Sequence, residues 1–374
     1  MKIMKLRMKQ KINKAIISGG GTGGHIFPAL SIANEMKRRY PDAEILFVGA
    51  LGRMEMEKVP AAGYKIIGLP VMGFPRKPSP KMFTFFKKLM QSSKMAREIV
   101  KDFKPDIAIG VGGFASGPLL RAAARYNVPT LIQEQNSYAG ITNKLLSKKV
   151  DTVCVAYDKM ERYFPKDKIV FTGNPVRENL IQQIDRKKAL DFFKLKEKDK
   201  TVLIIGGSLG ARSINQSVLK NMKEIGNSGV QVIWQTGAIY YERILKELKD
   251  KVPGNVQIHQ FINRMDLAYS AADLVISRAG AGTISELCLV GKASILVPSP
   301  NVAEDHQTKN ALALVDKDAA LMVRDDEIDE KLFSLAFETV NDEDRCRGLS
   351  KKIKTLAKPE ATKTIVDEAE KLLK

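Results

Sequence analysis

Three junctions in this 374-residue chain bring glycines together with imidazole, hydroxyl or carboxylate groups. The first is IISGGGTGGH (16–25), where Gly19, Gly21 and Gly24 fit the spacing G-x-G-x-x-G and His25 follows directly. Glycines there permit positive φ and let backbone N–H groups approach a phosphate or sugar. Taken alone, the spacing points to a dinucleotide site, which needs an acidic residue at the end of the second strand to hold the ribose. Here that strand ends ILFVG, with Gly49 where the acid should be, which counts against a dehydrogenase. The second junction, IIGGSLGA (204–211), sets Ser208 where a hydroxyl can meet a phosphate. The third, SRAGAGTISE (277–286), places Thr283 and Ser285 at a helix N-terminus, whose unpaired N–H groups and dipole favour a diphosphate. Glu286 follows in the first turn and reads either as a dipole-favoured surface carboxylate or as an acceptor for ribose hydroxyls. His25 reads either as a structural, helix-cap histidine or as a general base.

These junctions need strands before them and helices after them, and the sequence supplies both twice. AIIS (15–18), EILFVG (44–49), DIAIGVG (106–112), TLIQEQ (130–135) and DTVCVA (151–156) are short, β-branched runs, apolar on both faces. That pattern belongs to parallel strands covered by helices on both sides, with PALSIANEMKRRY (28–40) as the first predicted helix. The same grammar restarts with TVLIIGG (201–207), a helix over 211–225, VQVIWQTG (230–237), VQIHQFI (256–262), DLVISRAG (273–280) and ASILVPSP (293–300). A helix follows Gly282 and is capped by Gly291. Two successive βαβ series predict an α/β chain of two doubly wound, Rossmann-like domains, 1–173 and 174–357. The joint falls near FTGNPVRENL (171–180), and a last helix, within about 358–374, is a candidate to pack back on the first domain.

Charge is unevenly spread. Residues 1–172 hold 30 Lys and Arg against 13 Asp and Glu, a net +17, whereas residues 173–374 hold 31 against 29, a net +2. The first half therefore faces something anionic: nucleic acid, an anionic membrane or a phosphorylated substrate. Cys154, Cys288 and Cys346 are too few and too scattered for a disulfide framework or a zinc site. No run approaches the ~18 apolar residues of a spanning helix, and the basic start has no apolar core like a secretory signal, so a cytoplasmic protein is expected. Within residues 72–104, Met82, Phe85, Phe86, Leu89 and Met90 recur at helical spacing among Lys81, Lys87, Lys88 and Lys94. They form either an ordinary core-packed helix or a surface helix dipping into an anionic leaflet. Pro75, Pro78 and Pro80 precede it in a predicted mobile loop.

Six segments in order, GGGTGGHIFPALSIA (19–33), GVGGFASGP (110–118), EQNSYAGITNK (134–144), TGNPVR (172–177), GGSLGA (206–211) and SRAGAGTISE, resemble the MurG family. That family comprises the UDP-N-acetylglucosamine transferases of peptidoglycan synthesis, and the resemblance covers residues 15 to 360. It implies a GT-B fold with the nucleotide-sugar in an interdomain cleft. It implies donor binding by Thr22, Gly23, Gly24, Asn136, Arg177 and Ser208, uracil contact at Ile262, and a diphosphate and ribose segment over Ala281, Gly282, Thr283, Ile284, Ser285 and Glu286. Gln307 matches a glutamine that helps hold the donor sugar. Where the family often carries Tyr after the paired glycines, this chain has Phe114, so no hydroxyl is available there. His25 becomes the better candidate base, with Glu134 as the alternative.

The implied reaction inverts an α-linked donor to a β-linked product by one in-line displacement. The acceptor is the 4-hydroxyl of undecaprenyl-pyrophosphoryl-N-acetylmuramyl-pentapeptide. A base must reach that hydroxyl, and the leaving diphosphate can be held by backbone N–H groups and Arg177. No Asp-x-Asp pair follows a strand; the one near match, Asp342-Glu343-Asp344, lies in a late polar segment. No metal and no cofactor are therefore expected. The partners expected are UDP-N-acetylglucosamine, the muramyl-pentapeptide lipid, cell-wall synthesis proteins and the anionic inner-membrane surface, whose cytoplasmic face the protein would occupy peripherally through Phe85, Phe86, Lys87 and Lys88. Nucleic acid is not expected, because no aromatic-and-basic strand motif accompanies the charge. The main alternative is another GT-B glycosyltransferase with a different donor or acceptor.

Overall fold

The structure is a computed structural model describing residues 11–73, 80–177, 180, 182, 184–207, 209–249, 251–302 and 305–373. Ser208 and the prolines Pro75 and Pro78 lie outside the described residues. The chain divides into two compact units, one reaching to Val176 and resuming at Glu360, the other Arg177–Pro359.

Unit 1 is built on seven parallel strands: β1 (Lys14–Ser18), β2 (Glu44–Ala50), β3 (Lys65–Leu69), β4 (Ile107–Gly110), β5 (Thr130–Glu134), β6 (Thr152–Val155) and β7 (Ile169–Phe171). Their order is β3-β2-β1-β4-β5-β6-β7. Five helices are threaded between them: α1 (Gly23–Arg39), α2 (Glu55–Ala61), α3 (Lys81–Phe103), α4 (Ser116–Arg125) and α5 (Ile141–Ser147). Alternate residues of one strand enter two separate cores. Ile16, Ala108, Ile132 and Val153 face one side, while Ile17, Ile109, Leu131 and Cys154 face the other. A sheet buried on both faces needs the continuous apolar runs seen in the sequence.

Unit 2 repeats the plan with β8 (Thr201–Ile205), β9 (Gln231–Gln235), β10 (Val256–His259), β11 (Leu274–Ser277), β12 (Ala293–Leu296) and β13 (Leu321–Met322), in the order β10-β9-β8-β11-β12-β13. Its helices are α6 (Arg186–Phe193), α7 (Arg212–Lys220), α8 (Met222–Asn227), α9 (Tyr241–Leu248), α10 (Met265–Ala271), α11 (Ala281–Val290), α12 (His306–Val315), α13 (Ile328–Asn341) and α14 (Glu343–Thr355). The last helix, α15 (Ala361–Lys371), belongs to unit 1. Its Ile365, Val366 and Ala369 share a core with Ile32, Ala33 and Met36 of α1. Arg39 fixes the pair by donating to Glu370 at 2.8 Å.

Three helix boundaries differ from the sequence reading. The helix expected from Pro28 begins five residues earlier, because Thr22 is extended and its carbonyl accepts the N–H groups of His25 and Ile26. Pro28 then sits inside the helix near its start, where its missing N–H costs one bond. The helix expected over 211–225 breaks at Asn221, whose side chain donates to the Ser217 carbonyl at 2.9 Å. The helix expected after Gly282 starts at Ala281 with Gly280 as its cap, which moves Glu286 from the first turn to the second.

Strand order reverses between β1 and β4 in unit 1, and between β8 and β11 in unit 2. In open α/β sheets ligands bind beyond the carboxyl ends of the strands at such switch points. The first glycine-rich turn follows β1 and the Gly112-Gly113 turn follows β4. The second and third glycine-rich turns follow β8 and β11. All three glycine-rich junctions thus lie at a switch point.

Candidate active site

At the unit 1 switch point, His25 stands in the first turn of α1, partly exposed, with its ring against Gly112. A Cβ on Gly112 would lie 2.8 Å from Nε2, and Gly112 has a φ of +100°, so only glycine serves there. His25 Nδ1–H donates to the Gly20 carbonyl at 3.1 Å. A carbonyl oxygen only accepts, so this bond puts the neutral ring's proton on Nδ1 and leaves Nε2 as the basic nitrogen. Thr22, Gly23 and Gly24 open α1, whose first N–H groups have no helical partner.

The turn around His25 rests on a residue that the motif reading passed over. Glu55, in the first turn of α2, is completely buried. One carboxylate oxygen accepts the Gly21 N–H at 2.9 Å and the other the Ala50 N–H at 2.9 Å. Its side chain passes between Gly20 and Gly49, either of which would strike it with a Cβ. The glycine at the end of β2 is therefore the clearance for an acid that arrives six residues later.

Glu134, at the end of β5, is also buried, but its oxygens are occupied. Oε1 accepts from the backbone and side-chain nitrogens of Asn136 at 3.0 and 3.2 Å. Oε2 accepts from Gly140 N at 3.0 Å and Asn143 Nδ2 at 2.9 Å. Four donors on one carboxylate make it the organiser of the loop that carries Asn136. Phe114 is exposed, with its ring beside Gly73.

In unit 2, folding brings Arg177 and Glu286 together across 108 intervening positions of the sequence. Arg177 Nε lies 3.1 Å from Glu286 Oε1, and the Tyr269 hydroxyl donates to Oε2 at 3.0 Å. Burial pushes the Glu286 carboxyl above the ordinary carboxylate range, against the opposing pull of Arg177 and Tyr269. Ala281, Gly282, Thr283 and Ser285 are partly exposed at the start of α11, whereas the Ile284 side chain is buried, leaving only its backbone to face a ligand. The Ser285 hydroxyl donates to the Ala281 carbonyl at 2.9 Å. Gln307, in the first turn of α12, accepts the Ser299 N–H at 2.8 Å through its amide oxygen, which leaves the NH2 as the donor of that side chain.

Ile262 is buried, and its N–H donates to Gln235 Oε1 at 2.9 Å. It borders a cavity of about 370 Å³ that Phe193, His259, Phe261 and Arg264 also line. Gln235 spans two turns, because its Nε2 donates to the Gly207 carbonyl at 3.1 Å. That bond ties the second glycine-rich turn to the Ile262 loop. Gly210 and Gly237, both at positive φ, pack backbone against backbone beside it.

Among the described residues, no group of three or more His, Cys, Asp or Glu is placed to hold a metal ion. No helix of the described residues is long and apolar enough to cross a membrane. None of Met82, Phe85, Phe86, Leu89 and Met90 belongs to the buried core. Phe86 is 53% exposed and Met90 74%, and Phe83, which the helical spacing had not selected, is 79% exposed. Phe85 is half-buried, edge-to-face against Phe86.

Residues 15–155 match the glycosyltransferase family 28 N-terminal domain, and residues 201–365 match the glycosyltransferase family 28 C-terminal domain. A relative from Parabacteroides distasonis is 59% identical over 361 residues, spanning 96% of this chain and 98% of its own. One from Christiangramia forsetii is 54% identical over 362 residues, with the same coverage. Both carry the name UDP-N-acetylglucosamine–N-acetylmuramyl-(pentapeptide) pyrophosphoryl-undecaprenol N-acetylglucosamine transferase. The crystal structure of MurG from Acinetobacter baumannii superimposes with a TM-score of 0.77 at 30% identity, over 96% of this chain and 99% of that one.

Proposed function

This chain belongs to the MurG family of family 28 glycosyltransferases, and we propose that it transfers N-acetylglucosamine from UDP-N-acetylglucosamine to the 4-hydroxyl of undecaprenyl-pyrophosphoryl-N-acetylmuramyl-pentapeptide. The observation that carries this reading is the 59% identity, over 96% of the chain, to a relative named as that transferase.

The acceptor oxygen attacks the anomeric carbon as the bond from that carbon to the UDP oxygen breaks, inverting the configuration. His25 Nε2 takes the acceptor proton, since the Gly20 carbonyl holds Nδ1 as a donor. Glu134 is the weaker candidate because four donors already engage it. UDP leaves with its diphosphate facing the N–H groups that open α11 and the Arg177 guanidinium. Glu286 accepts from the ribose hydroxyls, and Arg177 holds it in place before the donor arrives. The backbone around Ile262 meets the uracil, and the Gln307 amide meets the donor sugar.

Unit 1 would rest on the cytoplasmic face of the inner membrane through the exposed apolar residues of α3 and their neighbouring lysines. The test is to incubate the purified protein with labelled UDP-N-acetylglucosamine and a short-chain muramyl-pentapeptide lipid. A labelled disaccharide lipid is the expected product, and donor hydrolysis without it would overturn the assignment. Excess chelator should leave at least about half the activity seen with magnesium, because backbone dipoles and Arg177 can carry the leaving-group charge. Loss of turnover restored by one metal would reject that part of the mechanism.

A further inference from the structure

We propose that Glu55 is a positioning residue for the base, acting on His25 through the single peptide group between Gly20 and Gly21. The inference rests on the reading of His25 as the base. The Gly21 N–H that Glu55 accepts and the Gly20 C=O that accepts His25 Nδ1–H belong to the same peptide. Carboxylate, amide and imidazole therefore form one line of hydrogen bonds. In a trans peptide the N–H and C=O point in opposite directions, so the acid and the ring lie on opposite sides of it. A carboxylate accepting the N–H draws positive charge toward that end of the amide and makes the carbonyl a better acceptor. The carbonyl then holds the imidazole proton on Nδ1 more firmly, which keeps Nε2 basic. It also stabilises the imidazolium that forms when Nε2 takes the acceptor proton. A carboxylate bonded directly to a histidine does the same in a hydrolase triad, where it sets the tautomer and stabilises the cation without taking a proton itself.

Three further observations support the assignment. Glu55 is completely buried, no described cation pairs with it, and its carboxylate accepts from the Gly21 and Ala50 N–H groups. A buried carboxylate with no cation is costly and calls for a reason beyond loop closure. Glycines stand at each place where the side chain must pass, at Gly20 and Gly49. On the carbonyl side of the same peptide Gly113 leaves room for the Gly20 oxygen, since a Cβ there would lie 2.6 Å from it.

The chain has three histidines, His25, His259 and His306, so 15N-histidine labelling gives three imidazoles, and the His25 signals are those lost in His25→Gln. In the full-length wild-type protein, His25 should show a protonated Nδ1 and a bare Nε2 when neutral. In Glu55→Gln, which keeps the shape but removes the charge, that pattern should move toward the opposite tautomer. In the same variant kcat should fall about tenfold, a part of the roughly 10²–10⁴-fold that a general base contributes, with KM for UDP-N-acetylglucosamine unchanged. Unchanged kcat in a folded Glu55→Gln protein overturns the proposal. So does a raised KM with unchanged kcat, which would mark Glu55 as loop support alone. If Glu55→Gln fails to fold, the wild-type spectrum decides, and a protonated Nε2 refutes the relay. His25→Gln separates the two readings. Full turnover in His25→Gln removes the base assignment, whereas loss of turnover there with normal Glu55→Gln kinetics removes only the relay.

Discussion

Glu286 is held where a carboxylate is costly. Burial pushes its carboxyl upward, and Arg177 and Tyr269 pull it back. Because the folded value is raised, the stability linked to this group is present below the ordinary glutamate value and lost as pH rises through the folded one. Ionising this group therefore works against folding, and a binding role explains why the acid is kept. Glu286→Gln should leave Tm unchanged or raised at pH 7 while weakening UDP-N-acetylglucosamine. For Glu286→Ala the loss should be about 1.5–3 kcal/mol, the scale of a hydrogen bond to a charged group. Calorimetry checks the affinity and thermal unfolding the stability; donor affinity unchanged in both variants would reject the ribose role. The glycine spacing made His25 and Glu286 legible as residues, because glycine-rich turns mark where backbone approaches a ligand, and the family resemblance added Thr22. Glu55 was not legible. Two residues away on the same helix, Glu57 is exposed, and nothing in GRMEMEKVP separates the two. Only the fold shows that Gly20 and Gly49 clear a path for one of them. In hindsight the signal was the missing acid at the end of β2.

Elements were legible where their pattern was periodic and obscure where packing decides. The helix over residues 81–94 could be read from apolar spacing, but not the direction it faces, since a core helix and a lipid-facing helix share that spacing. In α3 an exposed half runs into a buried half. Ser92, Ala96 and Val100, four apart, are buried, whereas Phe83, Phe86 and Met90, on the turns before them, lie open. Phe83→Ser with Phe86→Ser should change stability by less than about 1 kcal/mol, as for surface positions. Binding to anionic vesicles in a flotation assay should drop. A sharp fall in Tm would instead mean that these rings pack in the core. A second element carries a pH dependence. Lys292, just before β12, donates to the Ala272 carbonyl at 2.7 Å, just past α10. Burial, helped by Arg186 and opposed by Asp273, pushes its ammonium down to about 8 from 10.5. A depressed lysine contributes stability present above the unfolded value and lost as pH falls through the folded one. Between pH 10.5 and about 8 the wild type should therefore lose stability that Lys292→Met does not. The divergence should be on the order of 1–3 kcal/mol by denaturant titration, and parallel curves would show that the amine is not desolvated.

Over the whole molecule, the two βαβ series were legible because doubly covered strands leave uninterrupted apolar runs. The strands that the sequence hid, β3, β7 and β13, stand at or toward sheet edges, where one neighbour suffices and the pattern weakens: β3 reads KIIGL with alternating exposure, and β13 has two residues. Charge is the other property visible only at this scale. The +17 of residues 1–172 against the +2 of the rest suits the first half to an anionic surface, and in the proposed membrane contact the exposed apolar residues of α3 would add a second, short-range attraction. Each mode responds differently to salt. Raising NaCl from about 0.1 M to about 1 M shortens the Debye length from about 10 Å to about 3 Å, which screens the lysines but not the phenylalanines. Vesicle binding by the wild type should therefore weaken with salt yet level off above zero. The Phe83→Ser, Phe86→Ser variant should lose that residue of binding, and Lys87→Glu with Lys88→Glu should flatten the salt dependence. Turnover of a water-soluble acceptor analogue should change little across the same series, because His25, Arg177 and Glu286 lie on other elements. Vesicle binding indifferent to both salt and the phenylalanines would leave the basic first half to the acceptor diphosphate, and the analogue's KM would then carry the salt dependence instead.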